Sequence, residues 1–225
     1  MEMVVNQTQS VGWLAPAAYA AIMATAISCA GLLLLHVISP EFAPSWRMVS
    51  EYANGQHNWV LMIVFVGWAL SSFALVAALW PLWGTMLGKI GLALLLLGGF
   101  GQLMGGLFDI NHKLHGPAAM IGIPALCIAA ILITLALMRR PDISAPPIWS
   151  AHLPWIAFAM MIGAFILFFS SLKAAGVDMS GQSGPLKELP TGVSGYVGWA
   201  NRALFAVSYL WVFLASLGVV RATAR

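Results

Sequence analysis

Apolar positions in this chain do not alternate with polar ones at the spacing of a surface helix or a half-buried strand. They run on. Six stretches are apolar all round: Trp13 to Ile38, Trp59 to Trp80, Lys89 to Phe108, Gly116 to Met138, Pro154 to Leu172 and Ala203 to Val220. Each comes close to the roughly 20 residues an α-helix needs to cross a hydrocarbon core. A helix that is apolar on every face belongs in lipid or protein, not at a water surface. Tryptophans mark several ends, among them Trp13, Trp59, Trp80, Trp83, Trp155 and Trp199. Their amphipathic rings favour the lipid–water boundary. The pattern predicts an all-α fold, a polytopic bundle of six transmembrane helices, with 1–225 as one transmembrane domain.

Composition closes off the alternatives. The 225 residues are 61% hydrophobic and 8% charged, where a soluble domain carries roughly a quarter charged residues. That excludes a soluble enzyme and a disordered chain. Ten Lys and Arg with a net charge of +3 make no phosphate-binding surface, so the expected partner is the lipid bilayer and not nucleic acid. Cys29 and Cys127 sit inside apolar runs and read as small hydrophobes. The first run is too long for a cleavable signal peptide, and Glu2 stands where basic residues would be needed.

Six spans place both termini on one side, side A, with loops 81–88 and 139–153. Side B holds loops 39–58, 109–115 and 173–202. Lys and Arg are evenly divided between the two. Glu2 and Asp142 fall on side A, whereas Glu41, Glu51, Asp109, Asp178 and Glu188 fall on side B. The Arg139–Arg140 doublet ends a span in a short loop, where basic charge counts most. This places side A in the cytoplasm and the protein in the cell inner (plasma) membrane, multi-pass.

No ionisable residue stands in the middle of a span, which argues against a proton-coupled carrier. Gln102 is the most polar residue at depth. The third span carries Gly91, Gly98, Gly99, Gly101, Gly105 and Gly106. Such bare surface lets helices approach closely, and it predicts a central helix wrapped by its neighbours.

Polar chemistry gathers on side B. In the first outer loop, Ser45 is positioned to cap and Gly55 to stop a short interfacial helix. Within it, Arg47 and Glu51 are four apart. Asp109 closes the third span, His112 and His115 follow, and Asn201 and Arg202 precede the sixth. Pro117 is expected to push Gly116 out of helical geometry. Asp109 at a helix C-terminus and Arg202 at an N-terminus both oppose the helix dipole. Near lipid, they are expected to pair with each other or within an Arg47–Glu51–Asp109–Arg202 network. The ligand-binding candidates are therefore Arg47, Glu51, Asp109, His112, His115, Asn201 and Arg202. Four of the five histidines, His36, His57, His112 and His115, are also candidate metal ligands, though their spacing is poor for a zinc-like site. The long loop 173–202, rich in Gly and Pro, is a candidate lid.

At these residues the chain resembles a large family of prokaryotic integral membrane proteins, the domain of unknown function DUF998. The resemblance is carried by Ser39-Pro40-Glu41, by Arg47-Met48-Val49-Ser50-Glu51-Tyr52-Ala53-Asn54-Gly55, by Phe108-Asp109, by His115-Gly116 and by Asn201-Arg202. It implies about six helices and a shared polar face, and brings no reaction with it.

Three readings follow. The first is a ligand- or metal-binding site on the extracytoplasmic face, which would suit a small lipid-linked enzyme, with the arginines on an anionic head group and a histidine or carboxylate as base. No G-x-S-x-G or H-E-x-x-H motif accompanies it. The second is a non-catalytic subunit of a homo-oligomer or membrane complex. The third is a b-type haem held by paired histidines such as His36 and His115.

Overall fold

The computed structural model describes residues 12–177 and 186–224. Six α-helices follow one another: α1 (Leu14–Ile38), α2 (Asn58–Ala78), α3 (Met86–Leu107), α4 (His115–Leu137), α5 (Ile148–Ala174) and α6 (Val197–Thr223). All six are long and apolar enough to cross a membrane, and the described residues contain no strand. The protein is an all-helical, multi-pass membrane protein.

The helix starts near prolines and at the first outer loop show how the structure departs from the sequence expectation. Helix α4 begins at His115, so Gly116 is helical. Pro117 falls in the first turn, where a missing N–H has no intrahelical partner to lose. Helix α5 begins at Ile148 and takes Pro154 into its body. Helix α6 begins at Val197, six residues before the expected start. The N–H groups of Gly198 and Trp199 donate to the Ser45 carbonyl, at 2.9 and 3.2 Å, so first-turn donors find an acceptor across the loop.

The first outer loop contains its short helix as a 3-10 turn, Val49–Asn54. Ser45 does not cap it, because the turn starts only at Val49; the Ser45 carbonyl serves α6 instead. Instead Met48 precedes the turn, and the Glu51 carboxylate reaches back to the Met48 N–H at 3.0 Å. Gly55 ends it. Val49 and Tyr52 are buried, so the turn plugs one end of the bundle. A second 3-10 turn, Trp80–Gly84, joins α2 to α3.

The glycine-rich α3 is not the central helix. It lies against α2 and α4, while α2, α4 and α6 are more enclosed. Its glycines face both neighbours. A Cβ on Gly101 would stand 2.7 Å from the Gly122 Cα of α4, and one on Gly105 would stand 3.0 Å from the Phe65 ring of α2. Lipid supplies no hydrophobic drive between helices, so this close contact and a few hydrogen bonds hold the bundle. The Tyr209 hydroxyl donates to Ser28 Oγ at 2.7 Å, and Ser28 donates to the Val64 carbonyl at 2.5 Å, tying α6, α1 and α2. Trp211 Nε1 donates to Thr134 Oγ1 at 3.1 Å, tying α6 to α4. On side A, two hydrogen bonds from Arg140 hold the Asp142 carboxyl below its ordinary range.

Candidate functional site

Arg202 sits in the second turn of α6 and is 7% exposed. Its Nε donates to His36 Nε2 at 2.7 Å. Its Nη1 faces the carbonyls of Arg47 at 2.6 Å, Pro44 at 3.2 Å and Gly198 at 3.2 Å. Its Nη2 donates to the Tyr52 hydroxyl at 3.1 Å. Because the Leu32 carbonyl can only accept, the 2.6 Å contact places a proton on His36 Nδ1 and leaves the Nε2 lone pair for Arg202. Among the described residues no carboxylate reaches this guanidinium. Its charge is met by carbonyl, hydroxyl and imidazole acceptors and by the Tyr52 ring, 5.7 Å away.

The expected Asp109–Arg202 pairing is therefore corrected. Asp109 is exposed, and its Oδ1 accepts the Asn111 N–H at 2.8 Å. Water and a local turn satisfy this carboxylate, so it has no need of a distant arginine. Of the expected network only the Arg47–Glu51 ion pair forms, and Arg202 meets Arg47 through its backbone carbonyl. Arg47, 5% exposed, donates from Nε to Glu51 Oε2 at 2.7 Å and from Nη1 to the Leu186 carbonyl at 2.5 Å. Its guanidinium lies 5.0 Å from the ring centres of both Phe42 and Trp46. Asn201 Oδ1 accepts the Val49 N–H at 2.9 Å. The arginines and Asn201 thus bind the 3-10 turn, the end of α1 and the start of α6 into one cap. The described part of the 173–202 loop packs on this cap through Leu186, Leu189 and Val193, around Trp46. Gly181, Gly184 and Pro185 of the candidate lid lie outside the described residues.

The histidines do not converge. Both ring nitrogens of His36 are engaged, so it offers none toward His115. His57 Nδ1 meets Ser39 Oγ at 3.2 Å. His112 is exposed, accepts the Leu114 N–H at 3.2 Å and stacks on Phe108 at 4.4 Å. Among the described residues no group of three His, Cys, Asp or Glu is placed to hold a metal ion.

His115 is different. Its Nδ1 donates to the Phe108 carbonyl at 2.9 Å, and its Nε2 has no partner among the described residues. The ring stands edge-on to Phe65, 6.3 Å between centres, at the mouth of a cavity of about 360 Å³. This lies within the range of small-molecule sites, roughly 300–1,000 Å³. Small residues leave the space open: Gly101 and Gly105 on α3, and Ala118, Ala119 and Gly122 on α4. Phe65 and Trp68 of α2 and Phe205 of α6 form an aromatic wall, with Trp68 and Phe205 centred 4.5 Å apart. Helix α5 contributes Phe158, Met161 and Phe165.

Along α4 the lining runs from Gly116 to Leu126, about 15 Å at 1.5 Å per residue. That is about half a hydrocarbon core of roughly 30 Å. Between α4 and α5 the wall faces outward. Met120 is 70% exposed, and Ile123, Phe158 and Phe165 are half-buried. Among the described residues no Asp, Glu, Lys or Arg lines the space. Gln102 at its inner end is already satisfied: its amide nitrogen faces the Trp68 carbonyl and Ser72 Oγ, at 3.1 and 2.8 Å, and its oxygen accepts from Trp68 Nε1 at 3.2 Å.

Residues 22–218 match the model of a family described as protein of unknown function, DUF998. The chain belongs to the DUF998 family. The DUF998 match takes in every residue of the arginine cap and of the cavity wall. Neither a curated protein nor a solved structure matches the chain.

Of the expected site residues, His115 and Asn201 line the cavity, and Arg47, Glu51 and Arg202 build the cap beside it. Asp109 and His112 lie on the exposed connection between α3 and α4. Sequence reasoning missed Phe65, Trp68, Met161 and Phe205, which are apolar residues among apolar residues. Only Gln102 gave a signal, as the most polar residue at depth.

Proposed function

We propose that this protein binds a lipid-like molecule inside the membrane, taking it laterally through the α4–α5 side into the cavity beneath His115. The observation that carries this reading is the cavity itself: apolar along most of its length, with Gln102 at its inner end already matched within the protein, and bordered by lipid-facing side chains. An apolar space of this size stays dry and favours an apolar occupant. In this reading His115 and Asn201 contact the ligand. Arg47, Glu51 and Arg202 are positioning residues, holding the cap that closes the aqueous end. The two guanidiniums make their hydrogen bonds to the protein itself, which favours this role over capture of an anionic head group. We place both termini in the cytoplasm on the strength of the Arg139–Arg140 doublet, so the ligand comes from the outer leaflet.

The test is to fill the space. Ala119→Trp places an indole on the cavity wall. The full chain and the variant are purified in a mild detergent, extracted with organic solvent, and the retained lipid is quantified per protein. The wild type is expected to retain lipid near one molecule per chain, and the variant several-fold less at an unchanged elution volume. Equal retention by the two well-folded proteins contradicts the reading.

A further inference from the structure

Resting on the lipid-binding reading, the polar groups at the cavity mouth define the head group. We infer that the site selects a lipid with an uncharged head carrying a free hydroxyl, and rejects phosphorylated lipids.

Charge comes first. Arg47 and Arg202 line the cap and not the cavity, and among the described residues every one that lines it is uncharged or a histidine. A phosphate drawn into this apolar space would lose water without gaining a counter-charge, a cost of several kcal/mol per ion. The hydrogen-bond inventory then sets the sign of the contact. The Phe108 carbonyl fixes the His115 proton on Nδ1, so the neutral ring offers Nε2 as an acceptor. Asn201 Oδ1 accepts the Val49 N–H, its Nδ2 donates to Met161 Sδ at 3.4 Å, and the Gln102 amide is fully matched. The open acceptor therefore asks for a donor from the ligand. Ser50 also lines the mouth, and its hydroxyl can donate to the ligand oxygen in return. A hydroxyl serves both, whereas an ether or ester oxygen cannot donate to His115.

The experiment is a competition series on the full chain in phosphatidylcholine vesicles. A diazirine-labelled hexadecanol is cross-linked by light against equal membrane mole fractions of unlabelled hexadecanol, hexadecyl methyl ether or hexadecyl phosphate. The alcohol is expected to compete best, and the ether and phosphate at least several-fold more weakly. A polyprenol and a monoacylglycerol, added in separate arms, distinguish the biological sources of the hydroxyl. His115→Phe should bring the alcohol down to the level of the ether while leaving the ether unchanged. His115→Gln, which restores an acceptor, should recover part of the difference. Equal competition by alcohol, ether and phosphate overturns the head-group inference and leaves the cavity reading standing. If no competitor reduces labelling and the label lies outside the cavity, the cavity reading itself fails. If His115→Phe does not fold, the competitor series on the wild type decides alone.

Discussion

Replacing Arg202 by methionine keeps an unbranched apolar stem and removes every donor. Five acceptors lose their partner: His36 Nε2, the Tyr52 hydroxyl and the carbonyls of Pro44, Arg47 and Gly198. A hydrogen bond from a charged group nets about 1.5–3 kcal/mol, but five such values do not add. Three of the acceptors share one nitrogen, and removing a buried charge also removes its desolvation cost. Among the described residues Arg202 has no carboxylate partner, so no opposite charge is orphaned. Leaving a buried acceptor unpaired costs roughly 1–3 kcal/mol. With several of them set against the relieved desolvation, a loss of about 3–5 kcal/mol is expected. Set against a total stability of about 5–15 kcal/mol, it is a large share.

Lysine, with one point charge in place of a planar fork, should recover only part of the loss. The assay is equilibrium unfolding in mixed micelles followed by tryptophan fluorescence. Asp109→Ala serves as the control and should stay within about 0.5 kcal/mol of wild type, as exposed sites do. The reasoning is refuted if Arg202→Met lies within about 1 kcal/mol of wild type. It is also refuted if Asp109→Ala costs as much as Arg202→Met, since that would restore the ion pair.

Two further outcomes test the packing. Gly101→Ala sets a methyl 2.7 Å from the Gly122 Cα and 2.9 Å from the Ala118 carbonyl, so α3 and α4 must move apart at a cost of about 1–3 kcal/mol; a melting temperature equal to wild type would count against the contact. Tyr209→Phe removes one interhelical hydrogen bond to Ser28 and should cost about 0.6 kcal/mol, the average for such bonds in a membrane, read by the same unfolding titration.

The six spans were legible because each is apolar on every face and long enough to cross, a local property that needs no tertiary information. The Arg47–Glu51 pair was legible from its spacing. Asp109 was misread because the helix dipole and nearby lipid were weighed without knowing that the α3–α4 connection exposes it to water. Ser45 was misread because its hydroxyl suggested a cap, while its carbonyl does the capping, for a helix some 150 residues away. The central place expected for α3 failed for a related reason. Glycines show that a helix can be approached closely, not from how many sides. The cavity was illegible because it is a gap left by small residues on α3 and α4, bounded by rings from α2, α5 and α6. Its volume exists only once those helices are packed.

The central claim is that a lipid occupies that gap, and mapping the photolabel tests it most directly. Diazirine-hexadecanol is cross-linked to the protein in vesicles, and the modified residues are assigned by mass spectrometry. The account predicts saturable labelling on Phe158, Met161, Ile123 and Phe205, lost in Ala119→Trp. Labelling confined to outward residues such as Ile166 and Leu33, undiminished in that variant, would contradict it.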